Sequence, residues 1–326
     1  RYHRDRFAIP VLGLTGTNGK TTTKELIKAV LSARFRTHAT CGNLNNNIGV
    51  PLTILGMPAD TEIAVIEMGA SHPGDIKELV DIAAPDFGLI TNVGKGHLLG
   101  FGSFEGVKAT KGEMYDFIAE NGGGAGTVFI NQDNPLLVEM ATSRGFVTMP
   151  EGCAFDRAAF LGRDRRKSAS KKLLAVPYGL HFSGARVLES DAAHPYLRLL
   201  LADGREVDTN LVGSYNADNV LAALCIGRFF GVPETEAIAA VASYVPSNNR
   251  SQMQRTRRNI LIVDAYNANP SSMKAALDNF SGFDAARKIV LLGDMLELGD
   301  ESVTEHAKVL HSVADYGFEG YFVGEE

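Results

Sequence analysis

Cysteine is scarce. The 326 residues hold only Cys41, Cys153 and Cys225, an odd number placed far apart. That spacing builds neither a disulfide framework nor a zinc site, and it fits a reducing cytosol, so a cytoplasmic location is expected. No run of about 18 apolar residues occurs, so no membrane span is expected. The opening residues RYHRDRF lack the apolar stretch of a signal peptide and read as the tail of a helix belonging to something upstream. Positive charge is not in excess either. A net charge of −6 gives no electrostatic case for nucleic acid as a partner. Internal repeats are absent, as is the guanine-reading N-K-x-D pattern of GTPases. What remains is an ordinary globular composition, 45% hydrophobic and 21% charged, with length for roughly two domains.

The most informative segment is Thr15 to Thr22, TGTNGKTT, set between the apolar run ending at Leu14 and the helix-like stretch Lys24 to Ala33. A strand, a Gly-containing turn and a helix make a phosphate cradle. Backbone N–H groups of the turn and helix start attract a triphosphate, Lys20 reaches its terminal phosphates, and Thr21 can offer its hydroxyl to Mg²⁺. The strict pattern would have glycine at position 14, where Leu14 stands.

Strand-like runs at Val11–Leu14, Ile63–Ile66, Phe87–Thr91 and Thr127–Ile130 alternate with helical patterns at 22–33, 75–83 and 104–118. Such alternation predicts an α/β fold with a mainly parallel sheet and ligands beyond its carboxyl edge. From about 136 to 212 the pattern turns more antiparallel, with strands at 173–177, 197–201 and 206–212. The charged stretch 163–172 and the wider polar segment 151–172 read as solvated surface. Helices are expected at 216–229 and 234–244, and a junction around Pro246 to Arg250. A second alternation from Asn259 (strands 260–263, 289–292 and 321–323; helices 270–279 and 302–313) reads as the first half of a doubly wound domain with three parallel strands.

Several residues sit where ligands of such a sheet should lie. Glu67 ends a buried strand beside the phosphate loop, where it is placed to hold Mg²⁺ or its waters, with a helix N-cap or turn carboxylate as the alternative. His97 follows a Gly-rich strand end and suits a metal or phosphate role. Lys111, on a helix, reads as a solvated surface lysine. Asn43, Asn45, Asn46 and Asn47 either recognise amides or form a turn. Asn216 is a fair helix N-cap with Asn219 one turn on, and contact with a nucleobase is the sharper alternative.

Taken in order, TGTNGKTT, GNLNN-x-IGVP, IEMGASHPG, ITNVG-x-x-HL-x-GFGS, KGE, GSYNADNVLAA, VDAYNANPSSM and LGDMLELG resemble the Mur ligases of peptidoglycan synthesis, from Ile9 to Glu326. That family's phosphate loop also lacks the first glycine. GNLNN, YNANP and GDMLELG look most like the member adding D-alanyl-D-alanine to UDP-N-acetylmuramoyl-tripeptide; another Mur or folylpolyglutamate-type ligase, or an inactive ATP-binding fragment, is the alternative. The resemblance implies a P-loop central ATPase domain over 9–249 and a Rossmann-like C-terminal domain over 250–326 that looks partial. Residues 1–8 would end a missing UDP-sugar-binding domain. It implies ATP and two Mg²⁺ ions, an acyl-phosphate intermediate and a monomer. By motif, Thr17, Asn18, Gly19, Lys20, Thr21 and Thr22 would cradle the phosphates, and Asn216 and Asn219 would contact adenine. Arg250 would reach the γ-phosphate and Asp264 the ribose or hinge. Thr21, Glu67, His97 and Lys111 would serve the metals, with Lys111 carbamylated. Lys20, Lys111, His97 and Arg250 would then be the catalytic set. Asn43, Leu44, Asn45 and Asn46 would face the muramoyl peptide, and Tyr266 and Asn267 the nucleotide or dipeptide. Asn47 departs from the family, where an acidic residue is expected.

Overall fold

The computed structural model describes residues 1–121, 126–150, 154–162, 172–189, 194–247 and 250–325. Its centre is a parallel sheet of β1 (Val11–Thr15), β2 (Thr37–Ala39), β3 (Ile63–Glu67), β4 (Phe87–Ile90), β5 (Thr127–Asn131), β6 (Val147–Thr148) and β7 (Leu174–Tyr178). The strand order is β2-β3-β1-β4-β5-β7-β6, and every pairing is parallel. β1 therefore sits inside the sheet, with β3 and β4 on either side.

Alternate side chains of these strands feed two apolar layers. Leu12, Leu14, Ile63 and Val65 face α1 (Lys20–Ser32). Val11, Ala64 and Ile66 face the layer built on α2 (Gly49–Leu55), α3 (Asp75–Ala83), α5 (Phe104–Asn121) and α6 (Pro135–Thr142). A one-turn helix, α4 (Leu98–Phe101), precedes α5. The first layer also holds α8 (Ala217–Phe229) and α9 (Glu234–Ser243), which pack on α1.

Three expectations change here. The strand near 173–177 is β7, paired parallel with β5, and the antiparallel strands described in that stretch are β8 (Arg186–Val187), β9 (Arg198–Leu200) and β10 (Glu206–Asp208). Within the polar segment 151–172, α7 (Arg157–Gly162) turns Phe160 into the core. Phe160 stacks on Phe87 at 5.8 Å, and Phe155 meets Phe87 edge-on at 5.6 Å, in a cluster with Phe129, Phe229 and Phe230. Two aromatics, Phe155 and Phe160, fasten a stretch whose composition reads as solvated. The charged run from 163 to 171 lies outside the described residues, as do residues 248 and 249 of the expected junction.

In the C-terminal unit, Ile260–Val263 is not the first of three parallel strands. It is β12, antiparallel to β11 (Gln252–Arg255). β13 (Ile289–Gly293) and β14 (Glu319–Val323) pair parallel in their own sheet. Between β12 and β14 run α10 (Pro270–Ser281) and α11 (Ser302–Asp315), which pack together. Leu277, Val290, Val313 and Phe318 are their small shared core.

Residues 4–6 form a single 3₁₀ turn, and Arg4 is fully buried against the central unit. Its guanidinium donates to Phe7 O at 2.7 Å and Ala83 O at 3.0 Å and pairs with Asp86 at 3.2 Å; Asp86 also accepts from Val11 N–H. Removing one partner of a buried ion pair strands the other. Arg4→Met should therefore destabilise the fold by about 3 kcal/mol in urea unfolding. An unchanged midpoint would mean that Asp86 finds water instead.

Candidate active site

The phosphate loop hangs on the carboxyl edge of the sheet. Gly19 has φ +77°, and a Cβ there would stand 2.8 Å from Asn219 Oδ1, so only glycine lets α1 begin at Lys20. The loop is fastened to the segment after β4. Thr17 N–H donates to Asn92 O (3.0 Å) and Asn18 N–H to Asn92 Oδ1 (2.9 Å), while Thr91 Oγ1 donates to Asn18 O (2.7 Å). Lys20 Nζ is folded onto the loop, donating to Gly16 O at 2.8 Å and Thr17 O at 3.0 Å.

Glu67, at the end of β3, is fully buried. Its Oε1 accepts from Thr21 Oγ1 (3.1 Å) and from Asn45 Nδ2 (2.8 Å). Oε2 has no hydrogen-bond partner, and buried Lys24 Nζ stands 3.9 Å away. Lys24 also donates to Thr40 O at 2.7 Å, so it pins the base of the Asn-rich loop. An orphaned carboxylate oxygen beside a phosphate loop suits a divalent cation, and Thr21 with Glu67 fits Mg²⁺ by its donor chemistry. Among the described residues no group of three His, Cys, Asp or Glu is placed to hold a metal unaided.

A cavity of about 790 Å³ collects most of the expected residues. Thr17, Asn18, Gly19, Lys20, Thr22 and Glu67 line one wall. Asn45, Asn46, His97, Asn216 and Asn219 line others, and the C-terminal unit adds Arg250, Asp264, Tyr266 and Asn267. Asn43, Leu44, Thr21 and Lys111 do not line it. Asn43 and Leu44 are exposed, and Asn46 Oδ1 accepts from Gly49 N–H at 2.8 Å, the turn role of asparagine. Asn216 occupies the N-cap position of α8 without capping it. Its amide donates to Val212 O (2.8 Å) and its Oδ1 accepts from Asn219 Nδ2 (2.9 Å), leaving the two asparagines as one buried unit.

His97 has a left-handed backbone, φ +53°, and its Nδ1 pairs with Glu297 of the C-terminal unit. Lys95 nearby reaches Glu305 at 3.1 Å and Glu301 at 2.6 Å. The Arg250 guanidinium lies 3.7 Å from the centre of the Tyr266 ring. Ser251 hydrogen-bonds Asp264, and burial pushes the Asp264 carboxyl up. Lys111 is not a surface lysine. It is 2% exposed, with Nζ 5.4 Å from the Phe101 ring centre. Burial, helped by the charge of Lys20, pushes its amine down to about 7; burial also takes Lys20 down to about 8. Lys24, Asn92 and Glu297 carry much of this geometry, and these partners lie too far along the chain for spacing to reveal them.

A strand–loop–helix phosphate cradle on a parallel sheet, faced by an acidic strand end, defines a P-loop nucleotide-binding α/β domain. The Mur ligase middle domain model matches residues 14–227, and the model described as Mur ligase, glutamate ligase domain matches residues 249–325. The chain belongs to the Mur ligase family. The UDP-N-acetylmuramoyl-tripeptide–D-alanyl-D-alanine ligase of Bacillus subtilis is 36% identical, over 97% of this chain and 64% of that protein. Its counterpart from Synechocystis is 33% identical, over 98% and 63%. The chain thus spans less than two thirds of the length of these relatives. A crystal structure of MurF from Acinetobacter baumannii superposes with a TM-score of 0.78 at 27% identity, over 99% of this chain and 65% of that one. MurF of Thermotoga maritima in complex with ADP shares the fold with a TM-score of 0.78 at 24% identity, over 100% of this chain and 72% of that one.

The Lys111 amine gives a pH prediction. Its folded pKa lies below the ordinary value of 10.5, so between about pH 7 and pH 10.5 the unfolded chain binds more protons, and stability rises with pH. In carbon-dioxide-free buffer, Lys111→Met should raise the melting temperature most at pH 7, with the gain shrinking toward pH 10. A gain independent of pH would mean that the amine is solvated.

Proposed function

We propose that this chain is the nucleotide-using part of an ATP-dependent ligase that adds D-alanyl-D-alanine to UDP-N-acetylmuramoyl-tripeptide through an acyl phosphate. One observation carries the reading. Glu67 Oε1 accepts from Thr21 of the phosphate loop and from Asn45 of the Asn-rich loop, so phosphate handling and amide recognition meet at one atom. A carboxylate is a poor electrophile; phosphorylation gives its oxygen a leaving group, which the dipeptide amine then displaces. Bringing two anions together demands positioning and positive charge. Lys20 and Arg250, which both line the cavity, would supply that charge. Thr21 and Glu67 would hold one Mg²⁺, and His97 and Lys111 a second, with the metal neutralising phosphate charge when bound. A Lys111 amine lowered to about 7 is partly neutral at physiological pH, the form that carbon dioxide can carbamylate. His97 would first have to leave Glu297. Asn216 and Asn219 would meet adenine as a pair. No helix among the described residues is long and apolar enough to cross a membrane. The enzyme would act as a cytoplasmic monomer.

The test is phosphate release from ATP with and without each acceptor. Release should require both the muramoyl tripeptide and D-alanyl-D-alanine, and Lys20→Ala should lower it by about 100-fold or more. Turnover indifferent to the acceptors would sink the reading. Tight ATP binding with no product would leave a nucleotide-binding unit only.

A further inference from the structure

The phosphate loop and the C-terminal unit are joined by a reciprocal amide pair. Asn18 Nδ2 donates to Asn269 Oδ1 at 3.3 Å, and Asn269 Nδ2 donates to Asn18 Oδ1 at 2.6 Å. Both residues line the cavity. Asn269 is also the N-cap of α10, where Oδ1 accepts from Ser272 N–H at 3.0 Å and Ser272 Oγ accepts from the Asn269 N–H. One oxygen therefore serves both the start of α10 and the loop residue two places before Lys20. The approach is close on the neighbouring turn as well. A Cβ on Gly94 would stand 3.1 Å from Ser271 Oγ, and one on Gly96 would stand 2.9 Å from Thr17 Cγ2. Gly94 N–H in turn donates to Thr17 Oγ1 at 2.9 Å.

We propose that Asn269 is a positioning residue for the nucleotide. Through its pairing with Asn18 it fixes the phosphate loop against the start of α10, so loop order and the seating of the C-terminal unit become one equilibrium. The inference rests on the nucleotide reading above. A nucleotide that orders the loop then also orders α10, and by linkage a seated α10 raises nucleotide affinity by the same factor. Capping alone would not do this, because a cap acts within its own helix.

The experiment separates the two roles of Asn269. Asn269→Ser keeps a capping oxygen but is too short to reach Asn18, whereas Asn18→Ala leaves the cap intact. ATP affinity is measured by calorimetry for wild type, both single variants and the double variant, together with amide hydrogen exchange over residues 270–281 with and without ATP. Each single variant should weaken ATP binding by about 5-fold, and the double by little more than the weaker-binding single, because the two share one interaction. ATP should slow exchange in α10 of the wild type but not of Asn269→Ser. Losses that multiply in the double variant, or unchanged affinity and protection in Asn269→Ser, would overturn the proposal. If the wild type itself fails to bind ATP, the nucleotide reading has failed and the amide pair has no nucleotide to position.

Discussion

A carboxylate held out of water without a full set of partners dominates this molecule. Glu67 sits at the end of β3 with one oxygen shared by Thr21 and Asn45 and the other unbonded. Charge buried this way is costly unless something answers it. Lys24, buried in the helix that follows the phosphate loop, is close enough to do so in part. The same ammonium holds Thr40 O at the base of the Asn-rich loop. Three segments that are separate in sequence are thus fixed by one electrostatic need, and the cavity opens where they meet.

The arrangement continues across the junction between the two units. His97 with Glu297, Lys95 with Glu301 and Glu305, and Asn18 with Asn269 each pair a central-unit side chain with a C-terminal one. Leu99 N–H adds a backbone bond to Glu297 O at 3.0 Å. The segment after β4 receives most of these ties, and it is also the segment that carries the phosphate loop. The phosphate-loop cavity and the domain junction therefore share one support.

Much of this could be read from the chain alone, for a physical reason. The phosphate loop, β1 and α1 are contiguous, so their geometry follows from local pattern. Glu67 and His97 line the cavity, where the rule that ligands sit beyond strand ends puts them. What escaped depends on distant partners. β2 is three half-buried residues, and β11 (QMQR) has no apolar alternation. β7 looks antiparallel until β5 is known to lie beside it. Lys111 reads as solvated in KGE because nothing local reveals Phe101 or the burial around it. Asn18 and Asn269 are 251 positions apart. The residues of the short motifs were legible, while the buried pairs that orient them were not.

The folded-back Lys20 has a consequence for recognition. Its ammonium already donates to two loop carbonyls, so an arriving phosphate does not meet a bare cation. Binding is an exchange in which neutral acceptors give way to anionic ones, and only the difference between the two is gained. A neutral isostere of the phosphate offers the lysine no improvement on what it holds. On the nucleotide reading, discrimination for charged phosphate would come from the loop's own carbonyls, which compete with every ligand for the ammonium.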